Sequence, residues 1–130
     1  MRTLQPAGWP RPKGYVNGIA AKGEMVFVAG QIGWDETETV VSDALSDQAA
    51  KALENTVAVL AEAGAGPEHV VRMTWYVTDK HEYLGSLKAI GAAWKKIMGA
   101  NFPAMALVQV SALVEDAAKV EIETTAVIPE

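Results

Sequence analysis

Hydrophobic and polar positions alternate along several stretches of the chain and recur at helical spacing along two others. The run from Phe102 to Val110 alternates Met105, Leu107 and Gln109 on one face against Ala104, Ala106, Val108 and Val110 on the other. Proline pushes the residue before it towards extended backbone, so Phe102-Pro103 reads as a turn that launches a buried strand, covered on both faces. Lys119 to Val127 alternates as well, with Glu121 and Glu123 on one side and Val120, Ile122, Thr124 and Ala126 on the other. The short connection from Ser111 to Ala118 predicts that these two strands pair antiparallel. Val70 to Val77 is a further strand, setting Val71, Met73, Trp75 and Val77 against Val70, Arg72, Thr74 and Tyr76.

Two apolar runs nearer the start, Tyr15 to Ala21 and Met25 to Ile32, are separated by Lys22, Gly23 and Glu24, which predicts a hairpin. In the second run Val26, Val28 and Gly30 share one face, and Phe27, Ala29 and Gln31 the other. Gly30 and Gly33 flank Gln31 and mark a place where backbone geometry is special or where something comes close to the main chain. Before these runs, prolines at 6, 10 and 12 surround Trp9, and residues 1–13 are expected to form an extended arm outside any ladder.

The helical spacing of Ala49, Ala50, Leu53, Val57, Leu60 and Ala61 predicts a helix capped by Ser46 and stopped by Gly64, Gly66 and Pro67. A second helix, capped by Asp79 with Glu82 three residues on, carries Tyr83, Leu87, Ile90, Trp94 and Ile97 as one apolar stripe ending at Gly99. Two helices cover one side of a sheet, yet several strands are apolar on both sides, so the second face is expected to meet further copies of the chain.

Composition narrows the functional classes. At 130 residues the chain is expected to form a single domain. Sixteen acidic against eleven basic side chains give a net charge of −5 with no basic stripe, which argues against nucleic acid as a partner. There is no cysteine, which removes thiolate chemistry and Cys-ligated metals and suits a reducing, cytoplasmic setting. Neither a signal segment nor a membrane-length apolar run is recognised. His69 and His81 have no ligand partners at metal spacing, so no metal is expected. The serines lack a nucleophile elbow, and neither a dinucleotide fingerprint nor a P-loop occurs.

Glu121 is the chemical lead. A carboxyl group placed between Val120 and Ile122, in a partly dry cleft, is suited to general acid or base work, whereas the plainer reading places Glu121 and Glu123 on a solvated strand face. Tyr15 offers a hydroxyl to a ligand or an aromatic anchor to a strand. Trp34, Trp75 and Trp94 are candidates for an aromatic wall, although Trp94 lies on the helix stripe and reads as core. Arg72 is a candidate anion ligand or an ordinary polar strand residue, and Met105 reads as packing.

The segments GYVNG (Gly14 to Gly18), VAGQIG (Val28 to Gly33), QAAKALENTVAVLAEAG (Gln48 to Gly64), TWYVTD (Thr74 to Asp79), FPAMALVQV and KVEIET together resemble the Rid family, the YjgF-type reactive intermediate deaminases. The resemblance covers nearly the whole chain. It implies a chorismate-mutase-like α+β fold, a mixed sheet with two helices on one face, assembled as a homotrimer with a small-molecule cleft at each subunit interface. It implies hydrolysis of enamines and imines to a carbonyl product and ammonia, without cofactor. Tyr15 matches the cleft tyrosine, Gly30 and Gln31 the strand segment near the ligand, and Glu121 the acidic residue that positions water. Backbone N–H groups near Ala104 and Met105 are the expected ligands for polar substrate atoms.

The chain departs from the family pattern at three positions. Where the active deaminases carry Pro-Ala-Arg, this chain has Pro103, Ala104 and Met105; Leu87 stands near the family's helix asparagine, and Ala29 replaces a serine. A guanidinium grips a carboxylate through two charge-assisted hydrogen bonds that a thioether does not offer, and losing such a clamp costs about 2 to 5 kcal/mol. The expected substrate is therefore larger than 2-aminoacrylate, of the 2-aminomuconate type. A non-catalytic ligand binder or chaperone-like trimer is the alternative, and ribonuclease activity a third class without a His pair to support it.

Overall fold

In the computed structural model, which describes residues 1–130, the chain runs through β1 (Arg2–Leu4), β2 (Gly18–Ala20), β3 (Gly23–Ile32), α1 (Leu45–Glu62), a 3-10 turn (Pro67–His69), β4 (Val70–Val77), α2 (Lys80–Gly85), α3 (Leu87–Met98), β5 (Ala104–Gln109) and β6 (Val120–Pro129). Four strands form one mixed sheet in the order β3-β6-β4-β5, antiparallel except for the parallel pair β4–β5. β1 and β2 form a separate antiparallel pair. The fold is α+β, as the resemblance implies. No helix is long and apolar enough to cross a membrane.

The core lies between one face of the sheet and the helices. Met73, Trp75 and Val77 of β4 and Val120, Ile122 and Ala126 of β6 are buried there, against Leu45, Ala49, Ala52, Leu53 and Leu60 of α1 and Ile90, Trp94 and Met98 of α3. β4 spans the predicted residues and shows the predicted alternation, broken only where the ladder to β6 shifts between Val70 and Arg72. The opposite face has no covering layer within the chain. Thr74 and Tyr76 lie across from Glu123 and Glu121, and Arg72 from Thr125, in the middle of that face, while Phe27 at one edge is 72% exposed and Val108 at the other is 44% exposed. The two outer strands are apolar on both sides, and the two central ones are polar on the open side.

Several expectations are corrected. β5 is an edge strand, half-exposed rather than buried on both faces, and its neighbour is β4 in parallel, not the Lys119–Val127 strand. The ten-residue connection after β5 crosses past β4 instead of making a hairpin, which alternation alone could not distinguish. Gly23 likewise closes no hairpin: β2 pairs with β1, and β3 with β6. Gly23 has φ 152°, and a side chain there would collide with the Ile128 carbonyl across the ladder. The N-terminal arm is not free of ladders, because Arg2–Leu4 precede the first proline and pair with Gly18–Ala20. Ser46 does not cap α1. The cap is Ala44, whose N–H donates to Ser42 Oγ at 3.0 Å, and Ser42 in turn donates to Asp47 Oδ2 at 2.9 Å. Asp79 caps as expected, accepting from the N–H groups of His81 and Glu82, but the helix is interrupted at Ser86 into α2 and α3. Gly85 and Ser86 are weak helix formers, which accounts for the break.

Candidate functional site

The predicted site residues fall into two groups at opposite corners of the sheet. The first is built around Glu121, near the start of β6. Its strand neighbour on β4 is Tyr76 and its neighbour on β3 is Ile32, next to a register shift between Val28 and Gln31 that throws out one extra residue. Glu121 is half-buried, and its side chain lies against Gly30: a Cβ there would stand 2.8 Å from the carboxyl carbon. The close approach predicted at Gly30 is that carboxylate. Glu121 makes no ion pair or side-chain hydrogen bond within the chain, whereas Glu123 accepts a 2.6 Å hydrogen bond from Tyr76 Oη. That hydrogen bond, then desolvation and the nearby charges of Glu123 and Glu121, raise the Tyr76 phenol above its ordinary 10.0, with Arg72 acting the other way. Gln31 turns its amide onto the Ala29 carbonyl at 3.1 Å, steadying the extra residue.

Residues outside the predicted set hold this corner in place. Gly33 packs on α1, where a Cβ would stand 2.5 Å from Gln48 Cα. The fully buried Gln48 side chain donates to the carbonyls of Ser42 (2.8 Å) and Ala117 (3.0 Å) and accepts from Lys119 N–H (2.8 Å), fixing the chain two residues before Glu121. Asn55 donates to the carbonyls of Ile32 and Trp34 and pins the end of β3. Both polar residues lie on helix α1 among apolar positions. Their only mark in the sequence is that interruption, which a period count passes over.

The second group gathers Tyr15, Ala104 and Met105. Val16 forms a parallel bridge to Ala104, and its N–H donates to the Pro103 carbonyl at 3.0 Å, so the N-terminal segment lies along the start of β5 and delivers Tyr15, 41% exposed. Met105 is level with Met73 and Leu107 with Trp75, so both point to the helix side of the sheet. There they border a cavity of about 530 Å3 between β5, the N-terminal segment and helices α2 and α3. An aromatic series crosses it: Tyr83 meets Trp75 edge-on, Trp75 lies 6.4 Å from Trp94, and Trp94 stacks on Phe102 with centroids 6.1 Å apart. The aromatic wall therefore includes Trp75 and Trp94 but not Trp34, which lies in the loop bridged to Val40. Trp94 is core, as read, and wall at once. Ala104 faces the open side beside Arg72, which has no ion-pair partner.

The two groups do not meet in one protomer. Along β4 the level of Glu121 is that of Tyr76 and the level of Ala104 is that of Arg72, four residues or about 13 Å away, and β4 itself lies between β6 and β5. Within one chain Glu121 lies on the open side of the sheet and Met105 on the helix side, so the two side chains do not share a pocket.

The family model described as Endoribonuclease L-PSP matches residues 10–128. A RutC family protein of Synechocystis is 35% identical over 131 residues, covering 99% of this chain and 98% of its own. The 2-iminobutanoate/2-iminopropanoate deaminase of Salmonella typhimurium is 35% identical over 113 residues, covering 87% of this chain and 86% of its own. Among solved structures, the YyfB protein of Yersinia pestis, of the conserved Rid family, superposes with a TM-score of 0.85 at 29% identity, covering 98% of each chain. Escherichia coli TdcF with bound serine gives 0.69 at 32% identity, with 98% of this chain and 99% of that one covered.

Proposed function

The chain belongs to the Rid family, the YjgF-type proteins related to reactive intermediate deaminases, and on that premise we propose that it hydrolyses an enamine or imine larger than 2-aminoacrylate, the 2-aminomuconate type included, to a carbonyl compound and ammonia. The single observation that carries this reading is Glu121, a half-buried carboxylate lodged against Gly30 with no partner of its own. A base left unpartnered inside a fold is available to a water molecule.

The active unit is a homotrimer. Because Glu121 and Tyr15 lie apart in one protomer, the cleft is completed between copies, Glu121 of one facing Tyr15, Ala104 and Met105 of the next. The enamine first takes a proton at carbon and gives one up from nitrogen, becoming its imine tautomer. Water then adds to the imine carbon as Glu121 accepts its proton and returns it to nitrogen. The carbinolamine loses ammonia as the carbonyl double bond forms. Backbone N–H groups near Ala104 and Met105 hold polar substrate atoms, and Gly30 leaves room for the carboxylate. No cofactor enters these steps.

In an ammonia-release assay on imines generated in situ, Glu121→Ala is expected to lose about 100-fold or more of turnover, the usual weight of a positioned base. Equal rates in the variant and the parent would remove Glu121 from the chemistry. The second reading is a non-catalytic binder that keeps the cleft, and Met105 is the observation that favours it: ligand-dependent thermal stabilisation without turnover of any imine would be its signature. A net charge of −5, with Glu121 and Glu123 on the open face, makes a phosphate backbone a poor occupant.

A further inference from the structure

The cavity on the helix side of β5 has a chemistry of its own. Its volume of about 530 Å3 is that of a small-molecule site, and its walls are mostly apolar and aromatic. Lys13 is the only charged residue on its lining. Met105 and Leu107 form its β-strand wall, and Leu87, 49% exposed at the first turn of α3, stands at its mouth. A body with two carboxylates meets one cation here and leaves the other charge on apolar walls, which is costly. A body with one carboxylate and a flat apolar group matches both features.

We infer that this cavity selects a monocarboxylate bearing an aromatic or comparably large apolar side group, with the ring among Trp75, Trp94, Leu87 and Met105 and the carboxylate at Lys13. The inference rests on reading this cavity as the substrate end of the proposed cleft, and narrows its substrate to an imine of an aromatic or bulky apolar amino acid rather than a dicarboxylate. Met105 and Leu87 are the specificity-determining positions. Ring stacking and burial supply affinity where the guanidinium clamp is missing.

Calorimetric titration of the full chain with 3-phenylpropionate, propionate, hexanedioate and 3-phenylpropanol tests it without chemistry. Binding of 3-phenylpropionate is expected at least tenfold tighter than that of propionate or hexanedioate. Lys13→Met should weaken 3-phenylpropionate but not 3-phenylpropanol. Met105→Arg and, independently, Leu87→Asp should each remove the preference for the ring; Leu87 is half-exposed, so its variant keeps the test intact if the strand variant fails to fold. Equal or tighter binding of propionate or hexanedioate, or no binding of 3-phenylpropionate, overturns the inference. Phenyl preference with no turnover of any imine leaves the inference and removes the hydrolase reading, whereas turnover without phenyl preference does the reverse.

Discussion

Gly30 and Gly33 stand three residues apart and exclude a side chain for different reasons. At Gly30 the obstacle is the Glu121 carboxylate, the free end of a flexible side chain; at Gly33 it is the backbone of α1. Gly30→Ala is therefore expected to fold within about 0.5 kcal/mol of the parent and to lose ammonia release, because Glu121 must swing aside. Gly33→Ala must move a helix, and its urea midpoint should fall by the equivalent of about 1 to 3 kcal/mol. An active Gly30→Ala enzyme would contradict the first expectation, and an unshifted Gly33→Ala midpoint the second. Tyr76 supplies a pH prediction. Its phenol is raised in the fold, first by the hydrogen bond to Glu123, so its contribution is complete below the unfolded value near 10.0 and is lost as pH rises through the folded value. Thermal melts between neutral and strongly alkaline pH should show a shallower alkaline fall in Tyr76→Phe than in the parent; Tyr83, raised by burial, keeps its own share of that fall. Two glycines around one glutamine marked the spot in the sequence as one of special backbone geometry or close approach, and the structure shows close approach at both. Which neighbour each meets was not legible, since it depends on elements about 90 and 15 residues further along.

At the level of elements, faces were readable and partners were not. Alternation told which side of β4 and β6 is apolar, and the structure agrees residue by residue from Met73 and from Val120 to Thr124. Pairing depends on how the chain turns between strands, and the crossover through α2 and α3 places β5 parallel to β4. The helices show the same division. Their apolar stripes were apparent, while the polar residue that most firmly ties α1 to the sheet, Gln48, falls inside the stripe and carries no periodic signal. Gln48→Ala removes three hydrogen bonds and leaves the Lys119 N–H and two carbonyls short of partners. The expected cost is about 1 to 3 kcal/mol in denaturant unfolding, with faster amide exchange at Lys119. Unchanged exchange there would mean that the loop before β6 is held by other contacts, such as the half-buried pair of Lys119 Nζ and Glu82 Oε2 at 3.0 Å.

For the whole molecule, the covered and open faces of one sheet divide stability from the proposed assembly. Face counting anticipated an uncovered side, and the exposed Phe27 and Val108 lie at its two edges. The central rows are more polar than expected, with Arg72, Tyr76 and the two glutamates among them, because these positions alternate with core residues in the two innermost strands. Phe27→Lys places a charge at that edge without touching the helix-side core. Light scattering at micromolar concentration is expected to give a trimer mass for the parent and a protomer mass for the variant, with ammonia release lost alongside. A monomeric parent would remove both the assembly and the shared cleft. Glu121, Gly30 and Tyr15 could be named as candidates from the sequence, but the aromatic cavity behind Met105 needed helix α3 and the N-terminal segment in place before it existed at all.

The position of β6 between β3 and β4 sets an order for synthesis. A nascent chain that has reached Gln109 already holds both long helices, β3, β4 and β5, yet β3 has no partner and β4 has only one. Its apolar strand faces stay open until residues 120–129 arrive and slide between them. Folding is therefore withheld until late in translation, and the growing chain depends for that interval on whatever shields sticky strands in the cell.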